Sequence, residues 1–111
     1  MDTLDTYRQL IRKILTEYAQ TPYAYGDIQI ETVFDSESDR YLLMILGREN
    51  ARRVHGCLAH IDIINGKLWI QRDGTECGMA NELIDAGVPK NHIVLGFRSA
   101  EIRKHTEFAV A

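Results

Sequence analysis

Across residues 3–20, the apolar positions Leu4, Tyr7, Leu10, Ile11, Ile14, Leu15 and Tyr18 recur by threes and fours. That spacing predicts an α-helix with one buried stripe, because 3.6 residues per turn bring such positions onto a single face. Asp5, Arg8, Gln9, Arg12, Lys13 and Glu17 fall on the solvent side. Asp2 or Thr3 can cap the helix, and Thr21-Pro22 closes it, since a residue before proline resists the α conformation. The period then changes from helical to alternating. Ile28, Ile30, Thr32 and Phe34 stand opposite Gln29, Glu31 and Val33, the pattern of a half-buried strand. Residues 35–39 form a polar turn, and residues 40–48 a second strand that is apolar throughout its middle. Residues 49–53 read either as a polar break or as the start of a third strand ending at Ile64.

Asn65-Gly66 lies between two apolar runs and is a strong short-range hairpin signal, because both central residues of a tight type I′ turn need positive φ. A two-residue loop sets the register: Ile64 opposite Lys67, Ile63 opposite Leu68, Asp62 opposite Trp69 and Ile61 opposite Ile70. Ile61, Ile63, Leu68 and Ile70 therefore share one face, the core face. His60, Asp62, Trp69 and Gln71 share the other.

Asp73-Gly74-Thr75-Glu76 next turns the chain into a second helix, with Asp73 or Thr75 as cap and Glu76 as capping-box partner of Asp73. Met79, Ala80, Leu83 and Ile84 form its buried stripe, and Gly87 followed by Val88-Pro89 stops it. Residues 93–97 read as a short last strand and residues 99–105 as one or two more helical turns. Residues 106–111 form a short apolar tail. The expected architecture is α+β: an N-terminal helix packed on a mainly antiparallel sheet of four to five strands, with a second helix after the fourth strand. It fills residues 1–111 as one domain.

Composition narrows the function. With 111 residues the chain suits one domain with a real core, and 45% hydrophobic and 26% charged residues are ordinary for a globular protein. The net charge of −3, with both signs mixed along the chain, lacks the basic footprint of a phosphate-binding domain. The two cysteines, Cys57 and Cys77, and a polar N-terminus without a leader pattern point to reduced thiols and a cytoplasmic setting. The apolar run at residues 41–46 is far shorter than the ~20 residues that span a bilayer.

The search for chemistry returns little. His55, Cys57 and His60 offer zinc donors, yet the period-2 rule of a strand directs His55 and Cys57 one way and His60 the other. Cys77 at a helix start has a lowered thiol pKa in principle, but nothing supplies an orienting third group. Gly74 and Gly78 could offer amides to an anion, although the phosphate-loop pattern is absent and Glu76 would repel it. No catalytic residue, metal ligand or cofactor site is expected.

Contact residues stand out instead. Trp69, in register with polar neighbours, is either covered by another element or presented to a partner, as hot-spot tryptophans are. Arg98, Arg103, Lys104 and His105 form the densest basic group, and the apolar residues 108–111 either dock into the domain's own core or cover a partner's groove. The candidate partner-binding residues are Trp69, Gln71, His60, Asp62, Arg98, Arg103 and Phe108.

The motifs Trp69-Ile70-Gln71, Asp73-Gly74-Thr75-Glu76, Ala86-Gly87-Val88-Pro89-Lys90, Ile93-Val94-Leu95-Gly96-Phe97 and Phe108-Ala109-Val110-Ala111, taken together, resemble the XisI family of fdxN-element excision controlling factors, found mainly in cyanobacteria. The resemblance covers essentially the whole chain. Ala100 and His105 depart from the proline and tyrosine usual there, which bears on the geometry of the last turn. The resemblance implies a non-catalytic accessory role in programmed excision of a DNA element during heterocyst differentiation, with recombination done by a separate recombinase. It also implies an XisH-like protein as the partner, and it brings no catalytic residues. The alternatives are a DNA-binding recombination directionality factor, against which the acidic balance argues, and a regulator of a nuclease-linked system with a small-ligand pocket. A homodimer through a sheet edge or the tail is compatible with each.

Overall fold

Helix α1 (Thr3–Ala19) forms over the predicted stripe and buries Tyr7, Ile11, Ile14 and Leu15. The computed structural model describes residues 3–20, 27–75 and 78–111. Asp2, Pro22, Glu76 and Cys77, and with them the proline stop and the capping-box glutamate, lie outside the described residues. Strands β1 (Asp27–Asp35), β2 (Arg40–Glu49), β3 (Arg52–Ile64) and β4 (Lys67–Asp73) run as an antiparallel meander. Helix α2 (Met79–Asp85) then crosses over and delivers β5 (Ile93–Leu95) parallel to β4, as a parallel neighbour requires. The sheet order is β1-β2-β3-β4-β5. Helix α3 (Ala100–Arg103) follows, and Ala109 closes a parallel bridge with Val94 that lays the tail along β5.

The core lies between the apolar stripes of α1 and α2 and one face of the sheet, the inner face. Tyr41, Leu43, Ile61, Leu68, Ile70 and Ile93 meet Ile11 and Leu15 of α1 and Met79 and Leu83 of α2, all with no exposed surface. Each such aliphatic side chain contributes about 1.5–3 kcal/mol by leaving water. The Asn65-Gly66 hairpin has both residues at positive φ, 51° and 77°, and the register between β3 and β4 is the one the turn dictates.

Two β-bulges alter what strict alternation predicts. Leu43 pairs with Ala59 and Met44 with Cys57, so Leu58 is an extra residue in β3, and both Leu58 and Ala59 turn into the core. The slip carries His55, Cys57 and His60 onto the same outer face, opposite Leu46, Met44 and Leu42. The expectation that His60 points away from the other two is therefore corrected: one inserted residue shifts the period-2 phase. A second bulge places both Gln71 and Arg72 opposite His60. This returns Asp73, paired with Ala59, to the inner side where α2 begins.

The ends of α2 are set locally. Asp73 Oδ2 accepts from Met79 N at 2.7 Å, and Asp73 Oδ1 takes Thr75 N at 3.0 Å. At the other end, Val88 N donates to Leu83 O and Gly87 N to Ile84 O, a Schellman stop with Gly87 at φ 104° and Val88 buried. Strand β5 is shorter than its apolar run, since the chain turns at Gly96, whose missing Cβ would meet Gln71 Oε1 at 2.6 Å.

Candidate functional site

Trp69 sits on the outer face, in register with Asp62 on one side and Val94 on the other. It is neither sealed among the isoleucines nor fully presented. The guanidinium of Arg103 lies over its ring, 5.4 Å from the centroid. Arg103 is itself held by two carbonyls: Nε donates to Val110 O at 2.7 Å and Nη1 to Arg98 O at 2.6 Å. One side chain thus ties α3, the turn before it, the tail and the indole together. Cation–π attraction and the two charge-assisted bonds favour the same arrangement.

Beside the ring, Asp62 is the one buried charged residue among those described. His60 Nε2 stands 2.7 Å from its Oδ1, Gln71 Nε2 donates to Oδ2 at 3.4 Å, and Arg40 Nε is 3.7 Å away. Its lone pairs are thereby engaged and its charge faces a cation, which is what burying a carboxylate demands. His60, Asp62 and Gln71 thus form a network flanking Trp69. Phe108 is placed differently: it is half-buried and packs against the core. Arg98 stays exposed with its guanidinium 5.1 Å from the ring centroid of Phe97.

The remaining exposed apolar surface in this region belongs to residues that alternation did not single out. Phe97 is 44% exposed, Ile102 51% and Val110 44%. The apolar run 93–97 predicts Phe97 as a strand residue, whereas β5 ends at Leu95 and leaves Phe97 exposed. Ile102 was legible in principle, as a lone aliphatic in a short basic helical stretch. Arg103 joins the backbone of Val110 and of Arg98 to the Trp69 ring, so these exposed side chains stand on segments that meet at one guanidinium.

Reactive chemistry is poorly served here. The Cys57 thiol donates to Ala59 O at 3.3 Å, and burial pushes its pKa up, which disfavours the nucleophilic thiolate. Although His55, Cys57 and His60 share a face, no three His, Cys, Asp or Glu side chains among the described residues come together as a metal set. Two amides at the start of α2 are already occupied: Asp73 takes Met79 N and Thr75 Oγ1 takes Gly78 N at 3.2 Å. Cys77 lies outside the described residues. Among those residues no helix is long and apolar enough to cross a membrane.

The fold is that of a small α+β protein with one mixed, mostly antiparallel sheet, an N-terminal helix packed on it and a helix after the fourth strand. The XisI protein family model matches residues 1–110, so the chain belongs to the XisI family. It is 35% identical to an XisI-like protein from Anabaena variabilis, covering 98% of this chain and 100% of that one, with a TM-score of 0.90. It is 32% identical to the fdxN element excision controlling factor XisI from the same organism, over 99% and 100% of the two chains, with a TM-score of 0.83. Comparison with curated proteins gives no match.

Proposed function

We propose that this chain is a non-catalytic accessory factor for excision of a DNA element and acts by holding a protein partner of the XisH-like kind. The observation that carries this reading is the exposure of Phe97, Ile102 and Val110 on segments that Arg103 ties to Trp69, with Arg98 beside Phe97. Protein interfaces favour that composition, an apolar centre with aromatic and arginine neighbours. Family membership supports the excision context, since a relative carries the name of an fdxN excision controlling factor.

The test is co-expression with an XisH-like protein followed by size-exclusion chromatography. Co-elution is expected, and Ile102→Glu should weaken it at least tenfold while leaving the circular dichroism spectrum unchanged, because Ile102 is exposed. Two independent peaks at about 10 µM of each protein would refute the proposal.

A further inference from the structure

We infer that the open edge of β1 accepts an extended segment of another protein, apolar at alternate positions and carrying a lysine or arginine opposite Glu31. Strand β1 ends the sheet, and no described strand lies beyond it. The opposite edge is protected, since β5 has only three residues and the tail bridges to it at Ala109. Strand β1 has nine residues, pairs with β2 through nine consecutive partners without a slip, and contains no proline or lysine. Bulges, prolines, lysines and shortness are devices that close an edge to strand addition, and β1 has none of them.

The ladder fixes which backbone groups stay open. Ile63 N donates to Asp39 O at 3.0 Å, in the register that pairs Arg40 with Asp62 and Tyr41 with Ile61. Antiparallel bonding alternates, so Tyr41 and Leu43 direct their backbone groups to β3, while Arg40, Leu42, Met44 and Leu46 direct theirs to β1. Those four meet Asp35, Val33, Glu31 and Gln29. Ile28, Ile30, Thr32 and Phe34 are therefore left with N–H and C=O groups pointing out of the edge. Backbone pairing at such an edge supplies affinity, and alternate side chains supply selectivity.

The side chains of β1 define that selectivity. Ile28, Ile30 and Phe34 lie half-buried on the inner row, and Ile30 and Phe34 pack against the core. Apolar residues on the same row of an added strand extend that layer. On the outer row, Asp27 stands opposite Arg48 of β2 and Asp35 opposite Arg40, whereas Glu31 stands opposite Met44. Glu31 is thus an exposed acid with no cation opposite it, and a lysine or arginine on the added strand supplies one. A second copy is the poorer occupant. The register that pairs all nine residues sets Glu31 against itself and Asp27 against Asp35.

This edge lies across the sheet from Trp69, so the inference stands independently of the XisH-like reading. The probe is a fluorescein-labelled peptide of nine residues, matched to β1. It carries valine at alternate positions, lysine at its centre and threonine elsewhere. Amides that would point away from β1 are N-methylated to prevent self-stacking. Fluorescence anisotropy with the full chain should show saturable binding with a Kd of about 100 µM or tighter. Methylating the facing amides instead should abolish it. Thr32→Pro removes one outward N–H without touching the bonds to β2, and should weaken binding about tenfold with an unchanged circular dichroism spectrum. Should that variant fail to fold, Glu31→Lys decides: preference should switch from the lysine peptide to one with glutamate at its centre. No saturation of the wild type at about 1 mM peptide overturns the inference. So does binding indifferent to the methyl positions or to Glu31. A dimer of the chain alone that Thr32→Pro dissolves also overturns it, since a second copy would then hold the edge.

Discussion

Asp39 shows how much one carboxylate can organise. It sits in an acidic turn that reads in sequence as a solvated tip, yet it accepts Arg8 Nε from α1 at 2.8 Å and Tyr41 Oη from β2 at 3.0 Å. The Arg8 guanidinium, followed by the Tyr41 hydroxyl, holds the Asp39 carboxyl below its usual 3.8. A depressed folded value means stability that is present above the unfolded pKa and lost as pH falls through the folded one. Asp39→Asn should therefore lower the unfolding midpoint near neutrality. The difference from wild type should shrink once pH drops below about 3.8. Urea titrations at about pH 7 and about pH 3 measure both. An equal deficit at the two values would show that the carboxylate charge is not what binds α1 to the sheet.

Short elements here depend on their ends more than on their length. Helix α2 has seven residues, too few to persist by propensity alone. Asp73 supplies the acceptor for its first amide from six positions upstream, and Gly87 with Val88 closes the other end. Removing such a side-chain cap typically costs about 1–2 kcal/mol. Asp73→Ala should thus shift chemical denaturation by that amount, with Asp73→Asn retaining part of the difference because its amide oxygen still accepts. No change in midpoint in Asp73→Ala would mean that packing of Met79 and Leu83 holds the helix unaided. The bulge at Leu58 belongs to the same class of local device. It turns Leu58 and Ala59 into the core together, and by shifting phase it decides which histidines accompany Cys57.

Across the molecule, α1 and α2 cover one side of the sheet, and the tail lies along β5. Arg103 is the fastener of the tail side. Arg103→Ala should destabilise the fold by about 1–2 kcal/mol through loss of the ring contact and two bonded carbonyls. The emission of Trp69, the only tryptophan, should move to the red as water reaches the ring. Arg103→Lys should not restore the blue position, since an ammonium cannot span both carbonyls while lying flat on the indole. Unchanged fluorescence in the alanine variant would show that the tail stays docked without this side chain.

The α1 stripe, the hairpin register and the α2 stop could be read from residues alone, because each follows from interactions within a few positions: helical periodicity, positive φ at Asn65-Gly66, a left-handed glycine. The same register placed Trp69 on the side away from the isoleucine layer. What folding added are contacts between distant segments. Arg8 meets Asp39, the Tyr7 hydroxyl meets His92 Nδ1 at 2.5 Å, and Arg103 covers Trp69. No spacing rule reports such pairs, since they depend on how the helices and the tail lie on the sheet. The phase slip at Leu58 and the outward turn of Phe97 were hidden for a related reason. An apolar run shows that residues will be buried or paired, but the partner strand decides where the pairing slips and where it ends.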